Sequence, residues 1–242
     1  MNTFFSIVTG LLLGYAVTTV LESYLHRVIY HAGPRTRRLW ARYPRIGGPF
    51  QRAHFSHGIV HHQWTFRKDF VTQFSSQQEK ARLDRRLRGP QGSLIQREYY
   101  GMTLRGVGII WYNLPILPCI LLVGLVVGPW GILGALPAVM AYSCLATFVH
   151  PCLHRPHGDE IARGSPMLRW VLKTRYMRFL RCHHYLHHRY VDCNFNLLPG
   201  GDVVLGHFRL PTAEDWNEMR RLGLVVDDGR TRTCATLIHH DS

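Results

Sequence analysis

The sequence predicts an all-α, integral-membrane helical protein with a histidine-rich cap on one membrane face. Two long stretches carry no Asp, Glu, Lys or Arg, residues 1–21 and 106–149, and the cations gather between and after them. Most of the sixteen histidines fall into four clusters at helical spacing.

The first uncharged stretch contains TFFSIVTGLLLGYAVTTVL. At about 1.5 Å of rise per residue, a helix of roughly 20 residues crosses a hydrocarbon core of about 30 Å. No basic residue precedes this apolar run and no small-residue cleavage site follows it, so it reads as a retained anchor over about 3–25. The second stretch is long enough for two crossings. Gly128-Pro129-Trp130-Gly131 near its middle breaks the helix and suits an interface, which predicts a hairpin with spans at 106–127 and 131–150.

All 29 Lys and Arg lie in residues 27–105 and 155–242, and they set the formal charge of +14. With three spans both blocks fall on one side, which the positive-inside rule makes cytoplasmic. A cationic cytoplasmic collar is therefore expected without any nucleic-acid partner, and it also suits anionic headgroups. The whole chain reads as a single domain, with cytoplasmic histidine-rich segments 26–105 and 150–242. Pieces such as GPRTRRLW and RIGGPF read as turn-rich and lying on the membrane surface. Helical stretches are expected around 52–62 and 166–188, with a solvated helix after residue 75 and a turn at Gly89-Pro90. The six cysteines show no CxxC spacing, and neither a disulfide scaffold nor a zinc ribbon is expected.

The histidine clusters are HRVIYH (26–31), HFSHGIVHH (54–62), HPCLH (150–154) and HHYLHH (183–188). Imidazole is a good ligand for zinc, iron, copper and nickel, and about ten clustered imidazoles are enough for two ions. Residues three or four apart share a helix face, so His57/His61, His150/His154 and His184/His187/His188 converge. His26 and His31 stand five apart, about 140° around an ideal helix, and need a local distortion to meet. His26 ends the first span and His150 the last, so both emerge at one face. His157, His207 and the His239-His240 pair read as surface residues.

In order and spacing these clusters resemble the fatty acid hydroxylase superfamily of membrane di-iron proteins, whose pattern is HX4H, HX2–3HH, HX3H, HX2–3HH. The matching residues are His26/His31, His57 with His61-His62, His150/His154, and His184 with His187-His188. His54 is the alternate to His57, and His183 to His184. The likeness runs from about residue 20 to 210. Past the last cluster, NFNLLPGGDVVLGH is similar to the family's NFGxxxPxWDxxFGT, with Asn196, Gly201 and His207 in place of Gly, Trp and Thr. The family commonly has four spans where this sequence supports three.

The resemblance implies an O2-dependent di-iron oxygenase that hydroxylates or desaturates an unactivated C–H bond of a lipid-like substrate. The cofactor would be two iron ions, with zinc also accepted in purified protein. Electrons would come from a separate ferredoxin or cytochrome b5 type donor, since no haem, cluster or dinucleotide motif is present. Arg181 and Arg189 would suit an acidic partner or lipid headgroups. Glu22, one turn before His26, is expected to take a hydrogen bond from a ligand imidazole, with Asp202 as a weaker candidate. The alternative is a non-enzymatic membrane protein that binds or transports metal.

Overall fold

The computed structural model describes residues 2–89, 92, 95–102, 107–159, 165–190 and 192–225. The predicted turn at Gly89-Pro90 lies partly outside them, and His239-His240 wholly so. The chain is mostly helical, as the two uncharged stretches and the helical histidine spacing require. Helix α1 spans Thr3–Leu25, with the Asn2 side chain accepting from the Phe4 amide at its start. It continues as one turn of π-helix over His26–Tyr30.

Helix α2 (Pro34–Arg42) and helix α3 (Pro44–His54) each begin with proline at the first helical position, where its fixed φ and missing N–H cost nothing. The expected turn-rich character is not found: Pro34 and Pro44 start helices, and Pro49 lies inside α3. A second π-helix, Phe55–Trp64, follows α3 directly. Helix α4 (Gln77–Arg86) is capped by Ser76 and precedes a two-residue antiparallel ladder, β1 (Ile95–Gln96) with β2 (Gly101–Met102). That ladder is the one departure from an all-helical fold among the described residues.

The stretch expected to form the second span is not one helix. It divides into α5 (Val107–Asn113) and α6 (Leu117–Val127), because Pro115 and Pro118 remove amide donors at the junction. Helix α7 (Pro129–Cys144) starts after Gly128, whose φ of +96° makes the sharp reversal that the Gly-Pro-Trp-Gly run predicted. It passes through a π-turn at Leu145–Val149 and a 3-10 turn at His150–Cys152. Two continuous helices, Thr3–Tyr30 and Pro129–Cys152, are long and apolar enough to cross a membrane. Their apolar side chains mostly face outward: Phe4, Leu12, Leu133, Met140 and Phe148 are all exposed.

Helices α1 and α7 pack through small residues. A Cβ on Gly10 would strike the Gly131 backbone, one on Gly14 would strike Ala135, and one on Gly134 would strike Ile7. Such close backbone approach suits helix pairs in lipid, where packing rather than water exclusion drives association.

The remaining helices are α8 (Pro166–Leu172), α9 (Arg175–Arg189), α10 (Gly201–Val204) and α11 (Ala213–Arg221). The single helix expected over 166–188 is thus broken at Lys173-Thr174, where the Thr174 hydroxyl caps α9. An apolar core joins α6 and α7 to α8 and α9 through Ile120, Val139, Leu172 and Leu180. A second one joins α9 to α11 through Tyr185, Leu186 and Met219. Between them these cores hold α9 against the C-terminal ends of α1 and α7.

Candidate metal centre

Each histidine cluster lies on a helical segment whose geometry aims its rings inward. At His26–Tyr30 the π-turn closes with the His31 amide bonded to the His26 carbonyl at 3.1 Å, which is the i to i+5 pattern. It places residues five apart on one side, and the His26 and His31 ring centroids are 5.1 Å apart. The π-helix at Phe55–Trp64 does the same for His57 and His62, whose Nε2 atoms are 3.2 Å apart. The distortion that the five-residue spacing demanded is therefore built twice.

The clusters meet in two adjoining groups. His26, His31, His57 and His187 form one, and His61, His154, His184 and His188 form the other. Within each group the ligating nitrogens all lie within 4.8 Å of one another. His57, His61 and His62 satisfy the same condition and join the two groups. His150 belongs to none of these sets, yet its ring centroid is 4.7 Å from that of His184. His54 turns away to the Tyr30 carbonyl at 2.9 Å. His183 faces Asp202, with Nε2 to Oδ2 at 3.9 Å, and packs on Phe179 and Phe208. Both alternates thus sit outside the groups.

Backbone carbonyls orient the rings. Nδ1 of His26 donates to Phe195 O at 2.8 Å, that of His154 to Phe70 O at 2.8 Å, that of His187 to Cys193 O at 3.0 Å, and that of His61 to Tyr99 O at 3.3 Å. A carbonyl accepts only from a protonated nitrogen, so these four rings carry their proton on Nδ1 and present the Nε2 lone pair inward.

The inward lone pairs fit a cation. Nε2 of His61 and Nε2 of His154 stand 3.0 Å apart with no proton left to place between them. Nitrogens about 2.0–2.1 Å from a shared ion would be spaced much like this. The alternative, a shared proton, is opposed by burial, which pushes both histidines well below their usual value, as do neighbouring imidazoles. The same cause lowers His31 to about 2 and His187 to about 4. His150 Nε2, His188 Nε2 and His184 Nδ1 are buried with no hydrogen-bond partner among the described residues. Buried polar nitrogens of this kind need a partner, and a metal ion is one. The histidine groups can hold metal.

Several expected contacts are replaced by others. Glu22 takes no imidazole hydrogen bond; its carboxylate accepts the Leu197 amide at 2.5 Å and the Leu198 amide at 3.1 Å. Asp202 accepts from Ser23 Oγ at 2.5 Å and Asn194 Nδ2 at 2.9 Å, and is likewise off the ligand rings. Both acids act one step further out, by pinning the loop that carries the Phe195 carbonyl. Arg181 is fully buried and donates to His157 Nδ1 and Leu224 O, inside the fold rather than at its surface, and His157 is not a plain surface residue. Arg189 pairs with Glu214 and Asp215.

The departures in the loop suit each other. Asn196 donates to Thr19 O at 2.7 Å, and a Cβ on Gly201 would strike that same carbonyl. The carbonyl orienters themselves were missed by sequence reasoning, since every residue carries one and no side-chain signal marks them.

A cavity of about 50 Å³ opens beside the groups, between α1 and α7. His26, His57 and His150 line it together with Tyr30, Tyr112 and Tyr142. Compared with family models, curated proteins and solved structures, the chain matches none.

Proposed function

We propose that the protein is a membrane-bound di-iron oxygenase of the fatty acid hydroxylase type, acting on an unactivated C–H bond of a lipid-like substrate. One observation carries this reading: two four-histidine groups, joined by a third, at the ends of two apolar helices. When bound, iron supplies the O2-dependent redox chemistry that side-chain acids and bases lack.

The chain's own part is to bind, orient and exclude water. The carbonyls of Phe195, Phe70, Cys193 and Tyr99 hold four rings in one tautomer. Phe66 stacks on His154 at 3.9 Å and Phe195 packs 4.3 Å from His184, so aromatic carbon covers these two imidazoles. The tyrosine-lined cavity receives the reacting segment of substrate beside His26 and His150, on the side facing the spans. Electrons come from a separate ferredoxin or cytochrome b5 type protein.

Three crossings, with α5 and α6 together as the second, bring His26 and His150 to one face. The two cationic blocks make that face cytoplasmic. A metal transporter would need ionisable groups along its path, and Glu22, the one acid in the first span, is held by the Leu197 and Leu198 amides.

Metal analysis of detergent-purified protein tests the proposal, with a His187→Ala/His188→Ala variant in parallel. We expect about two irons per chain, lost in the variant, because each group is left with three histidines. No bound metal in the wild type would sink the proposal. Bound metal without conversion of labelled lipids by expressing cells would favour the binding or transport reading.

A further inference from the structure

Helices α2 and α3 form a surface that the metal centre does not use. Arg35, Arg37, Arg38, Arg42 and Arg45 are all exposed there. No acidic residue occurs in the chain between Glu22 and Asp69, and none of these arginines has a carboxylate partner among the described residues. Between the arginines stand Leu39, Tyr43 and Ile46, which are 56%, 53% and 74% exposed.

The pair is also closely packed. Gly47 lies against the Trp40 backbone so closely that a Cβ would collide with it, and the Trp40 and Phe50 rings pack 5.8 Å apart. The large aromatic faces into the helix pair while leucine, tyrosine and isoleucine face out. Three residues, 31–33, separate α2 from the π-turn that ends the first apolar helix. The pair is therefore tethered at the membrane surface.

We infer that α2 and α3 lie in the plane of the membrane and bind an anionic lipid leaflet, with Leu39, Tyr43 and Ile46 inserted and the arginines on phosphates. Exposed apolar side chains flanked in sequence by exposed guanidinium groups are what an interfacial helix needs. Arginine stems can cover apolar surface while their heads reach phosphate. An acidic protein partner would use the same charge but leaves the placement beside the span unexplained. A second patch has the same character: Met167 and Trp170 on α8 are 78% and 72% exposed, with Arg169 and Lys173 beside them.

The inference rests on the membrane reading of the apolar helices but not on the metal chemistry. Full-length protein would be placed in nanodiscs of phosphatidylcholine mixed with phosphatidylglycerol, with a photocrosslinking amino acid at position 46 or, as a control, at Gln78 on α4. Lipid adducts at 46, enriched in phosphatidylglycerol over the bulk mixture and absent at 78, are expected. Replacing Arg35, Arg38 and Arg42 by Gln should abolish that enrichment. Equal adducts at the two positions, or enrichment unchanged in the Gln variant, would overturn the inference. Adducts to a copurifying acidic protein at 46 would overturn it in favour of a protein partner. Metal content of the same preparations, unaltered in the Gln variant, keeps this outcome separate from that of the proposed function, and carbonate extraction checks insertion itself.

Discussion

His183 and His184 are neighbours on α9 with opposite roles in the packing. Both are buried; His184 Nε2 stands 2.9 Å from His154 Nε2, while His183 looks toward Asp202. Burial lowers His183 to about 3 and raises Asp202 to about 6, so near neutral pH the imidazole is uncharged while the carboxyl is mostly ionised, and the two do not form an ion pair. His184→Ala is expected to strip metal from purified protein. His183→Ala should leave metal stoichiometry unchanged and lower stability by about 2–5 kcal/mol, the usual cost of a large-to-small change in a packed interior, through the space left beside Phe179, Phe195 and Phe208. Metal analysis and thermal unfolding of the two variants side by side check this, and equal metal loss in both would refute the assignment. The HX2HH spacing favours His184, with His183 as a competitor that also precedes His187-His188 at a tolerated distance. It is the 100° turn between successive helical residues, read against what surrounds α9, that separates them.

At the scale of elements, the α1–α7 pair carries the site. Its packing places the inner end of each helix beside the other, with His26 following α1 and His150 following α7. Gly14 tests this directly, because its missing Cβ leaves room for Ala135. Gly14→Leu should cost about 1–3 kcal/mol or more through overpacking, and should lower metal content with it because the two histidines separate. Gly33→Ala is the matched control: nothing lies within 4 Å of its added Cβ, so stability should hold. Unfolding in detergent followed by size-exclusion chromatography reports both. The anchors and breaks of these helices were partly legible. The reversal at Gly128 followed from Gly-Pro-Trp-Gly, whereas the division of α5 from α6 at Pro115 and Pro118 was overlooked behind strong hydropathy. Proline outweighs apolar composition there because it deletes backbone donors.

For the whole molecule, the concentration of neutral imidazole sets the response to pH. Burial holds His187 at about 4 and His31 at about 2, against 6.5 for the free side chain. Between about pH 4 and 6.5 the unfolded chain binds protons there and the folded chain does not. Stability of the metal-free protein therefore rises with pH through that window, is fully present above 6.5, and is lost as pH falls. Asp202 works the other way, since its pKa is raised from 3.8 to about 6 by burial, and it costs stability as pH rises between those values. His57, His61, His62, His154, His184 and His188 are lowered as well, so the histidines outnumber it. Melting curves across that range, with and without chelator, should show a steeper loss on acidification when metal is present, because protons then also compete with the ion. A melting temperature independent of pH over this window would refute the account. The chain's order of residues was enough to determine that it is helical, that two stretches suit lipid, and that its histidines recur at ligand spacing, because period and composition are local properties. Only the tertiary structure decided that the four clusters close into two joined groups, that Glu22 and Asp202 hold a loop instead of imidazoles, and that carbonyls of Phe195, Phe70, Cys193 and Tyr99 aim the rings. Those contacts join residues up to 179 positions apart, and most of them run through backbone atoms that carry no mark of their partner.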